Sequence, residues 1–210
     1  MHRGDQIYKK GQLDESKMNP DPISEFATQW ALAETTYGAE SASAMSLSTV
    51  CTKLRPHSRM VLLKKQADRS FYFCSQYRSQ KARDIEFSPF GALLFFWPEL
   101  GKQIRIEGSI AKIPAAESES YFKTRPREAQ IGAWASIQSE PIESRKALED
   151  RVLELEAHFA TGPIPYAPHW GGYCLTATNM EFWQGRPARL HDRIVYSYHD
   201  TGWQQARLCP

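Results

Sequence analysis

The sequence predicts an α+β fold, an antiparallel β-barrel that is closed or partly split, with helices gathered between and beside its strands. Three observations carry this. From Ala44 onward, short apolar runs (SRMVLLKK, SFYFCS, GALLFFW and QIRIEGSIAKI) are separated by polar breaks. Segments of helical character stand before, within and after that stretch. There is no G-x-G-x-x-G and no Walker loop, which argues against a doubly wound nucleotide fold.

Residues 1–20 carry charge, Gly and Pro without a period, the pattern of a mobile arm. A helix is expected next. Asp21 caps it, Pro22 takes its first position, and Ile23, Phe26, Trp30 and Leu32 lie roughly along one side. In the β-rich part, Ile104, Ile106 and Ile110 keep a period of two, and Gln80–Phe87 reads as one short helix. The segment from Ala115 to Trp134 reads as two short helices meeting at Pro126. A longer helix begins near Pro141, with Leu148, Val152, Leu155 and Phe159 on one face. Three more strand-like runs, CLTATNMEFW, ARLHDRIVYSY and GWQQARLCP, bring the total to six or seven. With 210 residues, 41% of them hydrophobic, the chain suffices for one full core, so residues 21–210 are expected to form a single domain.

Lys plus Arg number 26 against 24 Asp plus Glu. That balance offers no general attraction to nucleic acid or to an anionic membrane, so any anion site must be local. Cys51, Cys74, Cys174 and Cys209 show no C-x2-C spacing and are expected to be reduced thiols. The N-terminus lacks the apolar stretch of a secretory signal, and GALLFFW is too short to span a bilayer. A soluble, cytoplasmic protein with no membrane partner is the expectation.

Four clusters of donors stand out. In Arg189-Leu190-His191-Asp192-Arg193, an extended strand would project Arg189, His191 and Arg193 from one face, giving either an anion site or a charged edge strand that blocks aggregation. Arg59 and Lys64 flank an apolar run read as a buried central strand, either as ligand groups or as side chains reaching outward to water. Ser75 and Ser79-Gln80-Lys81 sit at an expected helix N-terminus, suited to a phosphate or to ordinary capping. Tyr121, Arg125 and Arg127 surround the Pro126 break, where guanidinium groups would fork onto a phosphate or lie on a solvated helix face. No nucleophile with a base, no zinc motif and no carboxylate pair accompanies them. Anion-binding groups without hydrolytic machinery suggest that a cofactor carries the chemistry. Trp183 is placed to cover a planar ring or to sit in the core.

Taken in order, RMVLLKK, SQKARDIE, the Gln103 strand, YFKTRPREAQIGAW, SIQSE, HWGGY, EFWQG, RLHDR and RLCP resemble the pyridoxamine 5'-phosphate oxidase family, from Pro20 nearly to the end of the chain. The resemblance implies an FMN-binding split barrel, a homodimer with FMN at the subunit interface, and oxidation of pyridoxamine or pyridoxine 5'-phosphate to pyridoxal 5'-phosphate. O2 is the implied acceptor, and H2O2 is released. By position, it assigns FMN contacts to Arg59, Met60, Val61, Leu62, Leu63, Lys64, Cys74, Ser75, Gln80, Lys81, Gln103, Gln138, Ser139, Trp183 and Arg193. Substrate contacts fall to Tyr8, Lys64, Tyr121, Arg125, Ala129, Arg189, Leu190 and His191, with Arg189 and His191 at the reacting carbon; no metal is implied.

The chain departs from the family pattern in four places. Gln80 replaces an arginine, Ala129 a serine and Cys74 a larger residue, while Asp5 stands where an arginine is expected. Two other readings share these residues. A related phenazine-biosynthesis flavin oxidase has the Ser-Gln-Lys form seen at Ser79–Lys81, and a non-catalytic FMN or pyridoxal-phosphate binder would account for the departures as decay.

Overall fold

Asp21 starts the first helix, α1 (Pro22–Tyr37), its carboxylate accepting from the N–H groups of Ile23 and Ser24 at 3.1 and 3.2 Å, and Gly38 ends it at φ 79°. The computed structural model describes residues 11–210. Phe26 of α1 is fully buried and meets Phe71 and Phe95 edge-on, with ring centroids 5.0 and 5.4 Å away, so the helix plugs the barrel core. Trp30 and Ile23 pack beside it, whereas Leu32, expected on the same side, is exposed.

A short α2 (Ala39–Ser43) leads into β1 (Ala44–Val50), β2 (Pro56–Leu62), β3 (Lys65–Ala67) and β4 (Ser70–Gln76). After α3 (Gln80–Phe87) come β5 (Phe90–Trp97) and β6 (Lys102–Lys112), then α4 (Ala115–Thr124), α5 (Arg127–Ala135) and α6 (Arg145–His158). Strands β7 (Trp170–Gln184), β8 (Asp192–His199) and β9 (Gly202–Leu208) finish the chain. Among the described residues there are thus nine strands, more than the six or seven expected. The α3 bounds and the break at Pro126 fall where the sequence puts them, because both are set by local signals.

Every pairing is antiparallel, in the order β2-β1-β5-β6-β7-β4-β3. Strand β7 is the spine. One edge pairs with β6, while the other pairs with β4 over Trp170–Thr176 and with β8 over Asn179–Gln184. The change of partner splits the barrel. Where β6 bulges at Glu107/Gly108, a Cβ on Gly108 would lie 1.9 Å from the Thr176 carbonyl oxygen, so only glycine permits the close crossing. The other seam forms where the Leu63 N–H donates to Ser43 and the next residue, Lys64, donates to Tyr72.

Strand β2 is therefore an edge strand and not the buried central one expected. Met60 is exposed, Val61 and Leu62 are half-buried, and only Leu63 enters the core. An apolar run has the same composition whether a neighbouring strand covers it or leaves it open. Residues 11–20, assigned to the arm, lie against β8 and β9. Leu13 is buried with its N–H 3.1 Å from Asp192, Arg207 binds both Glu15 and Asp192, and the Tyr196 hydroxyl donates to the Asn19 carbonyl at 2.9 Å. A second apolar cluster, around Phe122, Ile131, Ile164 and Trp170, joins α4, α5 and the segment before β7, and Val152, Leu155 and Phe159 pack on it as their spacing predicted.

Candidate active site

Ser75 ends one side of β4, and α3 begins five residues later, so the strand end and the helix N-terminus face one another. Lys81 Nζ reaches Ser75 Oγ at 3.1 Å and Gln138 Oε1 at 2.6 Å, and the Gln80 N–H donates to Ser139 Oγ at 3.1 Å. Burial, with the nearby Arg59 charge, lowers the Lys81 pKa to about 8. A buried cation among hydroxyls at a helix N-terminus suits a phosphate. Ser139 holds a left-handed backbone, φ 74°, a strained conformation for a residue with a side chain.

Arg59 approaches the same cluster from β2 but is tied inward. Its Nη1 donates to Leu47 O and Thr49 Oγ1, and its Nη2 lies 3.5 Å from Asp84. Asp84 is buried on α3 and also accepts from Thr49, His57 and Gln80 at 2.7, 2.9 and 2.8 Å. Burial alone would raise its pKa; those hydrogen bonds outweigh burial and hold it below the usual value. The Gln80 side chain thus points to Asp84, and only its backbone N–H serves the phosphate cluster. Thr49, His57 and Asp84 were missed from sequence, although Asp84 stands one helical turn after Gln80.

On the opposite side of β4, Cys74 faces a cavity of about 480 Å³ lined also by Lys64, Tyr72, Ser120, Tyr121 and Thr124. Burial pushes the Cys74 thiol up to about 11, against the pull of Lys64 and Arg125, so it is a neutral thiol near pH 7. Arg125, between α4 and α5, is held below its usual pKa by burial, and its Nη1 is buried without a hydrogen-bond partner among the described residues. An orphaned guanidinium N–H costs roughly 1–3 kcal/mol unless an acceptor meets it, which fits an anionic ligand there. Arg127 was expected to share that task. It instead binds the carbonyls of Phe159 and Gly162 and fixes the loop after α6. Ala129 lies half-buried on the first turn of α5.

The remaining site residues stand at the other end of β7. Gln103 pairs with Trp183, and Trp183 with Arg193, placing all three in one row across β6, β7 and β8. The Trp183 and His191 rings are 4.6 Å apart, centroid to centroid. The expected five-residue strand face does not form. Pro187–Arg189 is a 3-10 turn with Ala188 and Arg189 at φ 57° and 61°, Leu190 is exposed, and β8 begins only at Asp192. Pro187 fixes its own φ and has no N–H for a ladder, and Ala188 and Arg189 turn the chain.

His191 Nδ1 accepts from the Arg186 N–H at 3.0 Å, and burial together with Arg189 lowers its pKa, so the ring is neutral at pH 7 with its proton on Nε2. Arg193 does not project beside it. It grips Glu181 at 2.7 and 3.0 Å, and Arg105 reaches the same carboxylate at 2.7 Å. Burial would raise the Glu181 pKa, but these two arginines hold it low. Glu181 and Arg105 were missed; the signal was a carboxylate within the otherwise apolar MEFW run.

From Gly172, which pairs with Cys74, to Trp183, β7 advances about 35 Å at roughly 3.3 Å per residue. The site residues thus fall into two groups far apart along one strand. Tyr8 lies outside the described residues. Among the described residues no group of three or more His, Cys, Asp or Glu could hold a metal, and no helix is long and apolar enough to cross a membrane.

Comparison with known proteins gives consistent matches. A family profile described as Pyridoxamine 5'-phosphate oxidase matches residues 33–159, and one described as Pyridoxine 5'-phosphate oxidase C-terminal dimerisation region matches residues 170–210. The chain is 46% identical over 203 residues to a Pyridoxine/pyridoxamine 5'-phosphate oxidase of Rubrobacter xylanophilus, covering 97% of this chain and 93% of the relative. It is likewise 46% identical over 204 residues to the enzyme so named in Cupriavidus taiwanensis, covering 97% and 95%. Among solved structures, PhzG from Burkholderia lata, in complex with tetrahydrophenazine-1-carboxylic acid, superposes with a TM-score of 0.87 at 26% identity, over 97% of this chain and 100% of that one.

Proposed function

Since the chain belongs to the pyridoxamine 5'-phosphate oxidase family, we propose that FMN is the flavin it binds and that two copies of the chain complete each active site. The chain is an oxidase of pyridoxine and pyridoxamine 5'-phosphates, forming pyridoxal 5'-phosphate. The relatives that carry this activity in their names are 42–46% identical over nearly the whole chain, against 26% for PhzG, so the phenazine reading is not favoured.

One observation carries the residue assignment: two clusters of cationic and hydroxyl donors lie back to back across β4, and each proposed ligand brings one phosphate. Ser75, Lys81 and the α3 N-terminus hold the FMN phosphate, with Gln138 and Ser139 beside it and β2 along the ring system. Lys64, Tyr121 and Arg125 hold the substrate phosphate. Arg189 and His191 address the pyridine ring, with Trp183, Gln103 and Arg193 completing the flavin site; the distance along β7 supports their coming from a second copy. The exposed Met60 and Phe96 on the open sheet face, and the match to a dimerisation region, support a homodimer.

Flavin bound there would supply a two-electron acceptor that dioxygen can reoxidise, with hydrogen peroxide as the reduced product. The chain's residues bind, orient and enclose. Fixing both phosphates sets the reacting carbon against the acceptor, so much of the rate comes from positioning. Neutral His191, its Nδ1 pinned by Arg186, presents Nε2–H to the substrate. With the amine, water enters and ammonia leaves; with the alcohol, the aldehyde forms directly.

The test is to release the cofactor by heat and identify it by chromatography, then supply pyridoxamine 5'-phosphate and follow peroxide and pyridoxal phosphate. FMN and both products are expected. FAD, or no flavin after FMN is added, contradicts the reading.

A pH effect follows from Lys81. In the free protein its pKa is about 8, and a phosphate beside it favours the ammonium form. FMN binding then takes up a proton above pH 8, and affinity falls by up to about tenfold per pH unit there. Fluorescence titration of the apoprotein from pH 7 to 9.5 checks this. Riboflavin, without the phosphate, should show no such fall, and a flat FMN profile would remove Lys81 from the phosphate site.

A further inference from the structure

The run Trp170-Gly171-Gly172 opens β7 beneath the proposed substrate-phosphate groups. Trp170 is buried, and its ring carries both proposed anchors. The Arg125 guanidinium lies 4.4 Å from the ring centroid, and Tyr121 stacks on it at 6.1 Å with 16° between planes. Phe122 meets the same ring edge-on at 5.5 Å. The ring is held in turn by its own backbone: the Trp170 N–H donates to Ala167, and its carbonyl accepts from the Tyr166 hydroxyl at 2.5 Å.

The two glycines let α4 settle onto this strand. A Cβ on Gly171 would lie 2.1 Å from the Tyr77 hydroxyl and 2.9 Å from Ser118 Oγ, and one on Gly172 would lie 2.4 Å from Ile113. The Gly172 N–H donates to Ser118 Oγ at 3.1 Å, which pins α4 one turn before Tyr121. A guanidinium resting over an indole face keeps N–H groups free to point elsewhere, and Arg125 Nη1 is buried without a hydrogen-bond partner among the described residues.

We infer that Trp170, seated by Gly171 and Gly172, is a positioning residue that aims Arg125 and Tyr121 at the substrate phosphate and so sets the preference for phosphorylated substrate. This rests on the assignment of those two residues as phosphate anchors. Trp170 is not among the described residues that line the cavity.

The readout is the ratio of kcat/KM for pyridoxamine 5'-phosphate to that for unphosphorylated pyridoxamine, measured on FMN-loaded enzyme with FMN affinity followed alongside. Trp170→Met fills the volume without an aromatic face and should lower the ratio about tenfold, chiefly through KM of the phosphorylated substrate. Trp170→Phe keeps a smaller ring and should lower it by about threefold. A merely structural role would depress both substrates alike and leave the ratio at its parental value, which would overturn the inference. If Trp170→Met fails to load FMN, Trp170→Phe alone decides: an intermediate ratio supports the inference and a parental one overturns it. Arg125→Met is the control for the underlying assignment. If it leaves the ratio unchanged, the phosphate anchors are misassigned and the role of Trp170 falls with them; if it collapses the ratio while both Trp170 variants do not, only the inference fails.

Discussion

Replacing Arg125 by Met is expected to lower kcat/KM for pyridoxamine 5'-phosphate by roughly ten- to a hundredfold, the effect of losing one charge-assisted hydrogen bond of about 1.5–3 kcal/mol. The physical reason is on the enzyme side as much as on the ligand side. Arg125 is partly buried against Trp170 with one nitrogen unpartnered among the described residues, so its desolvation has already occurred before substrate arrives, and the phosphate gains most of the interaction. Lys64→Met should cost a similar factor. Lys64 is solvent-exposed in the free chain and must be ordered by the ligand, which places its effect toward the lower end. The loss should appear mainly in KM, since both groups hold a part of the substrate that does not react. Steady-state kinetics on both variants, with pyridoxamine as the unphosphorylated reference, checks this. If both variants turn over the phosphorylated substrate at the parental rate, the cavity beside Cys74 is not the phosphate site.

What the sequence made legible was the local part of the fold. Asp21 with Pro22, the Gln80–Phe87 helix and the break at Pro126 all depend on residues within a turn of one another, and each is found as expected. What it hid was long-range. Alternation reports which residues share a face but not which strand pairs beside it, so β2 read as central although it is an edge, and the exchange of β4 for β8 along β7 had no signature. The turn at Pro187–Arg189 needs left-handed backbone at Ala188 and Arg189, which nothing in those side chains announces.

The same limit applies to the site. The candidate anion-binding donors were picked out by residue type and by resemblance. Their counter-groups were not. Asp84 under Arg59, Glu181 under Arg193 and Arg105, and the two carbonyls that occupy Arg127 come from elements distant in sequence or across a strand pair. They decide which way each cation points, and so which of several plausible arginines remains available for a ligand. Arg125 remains so because its neighbours are aromatic rings.

The Lys64–Tyr121–Arg125 group of one chain is proposed to work with the Arg189–His191 group of another. Mixing subunits tests it most directly. An Arg125→Met chain and an Arg189→Ala/His191→Asn chain, each nearly inactive alone, are unfolded together, refolded at equal amounts with FMN, and assayed with pyridoxamine 5'-phosphate. Random pairing makes about half the dimers hybrid; each hybrid holds one intact site and one doubly altered site, so activity should return to about a quarter of the parental value. If the mixture, with hybrid dimers verified by mass, stays no more active than the two variants apart, both groups serve one site within a single chain, and the two-copy account is wrong.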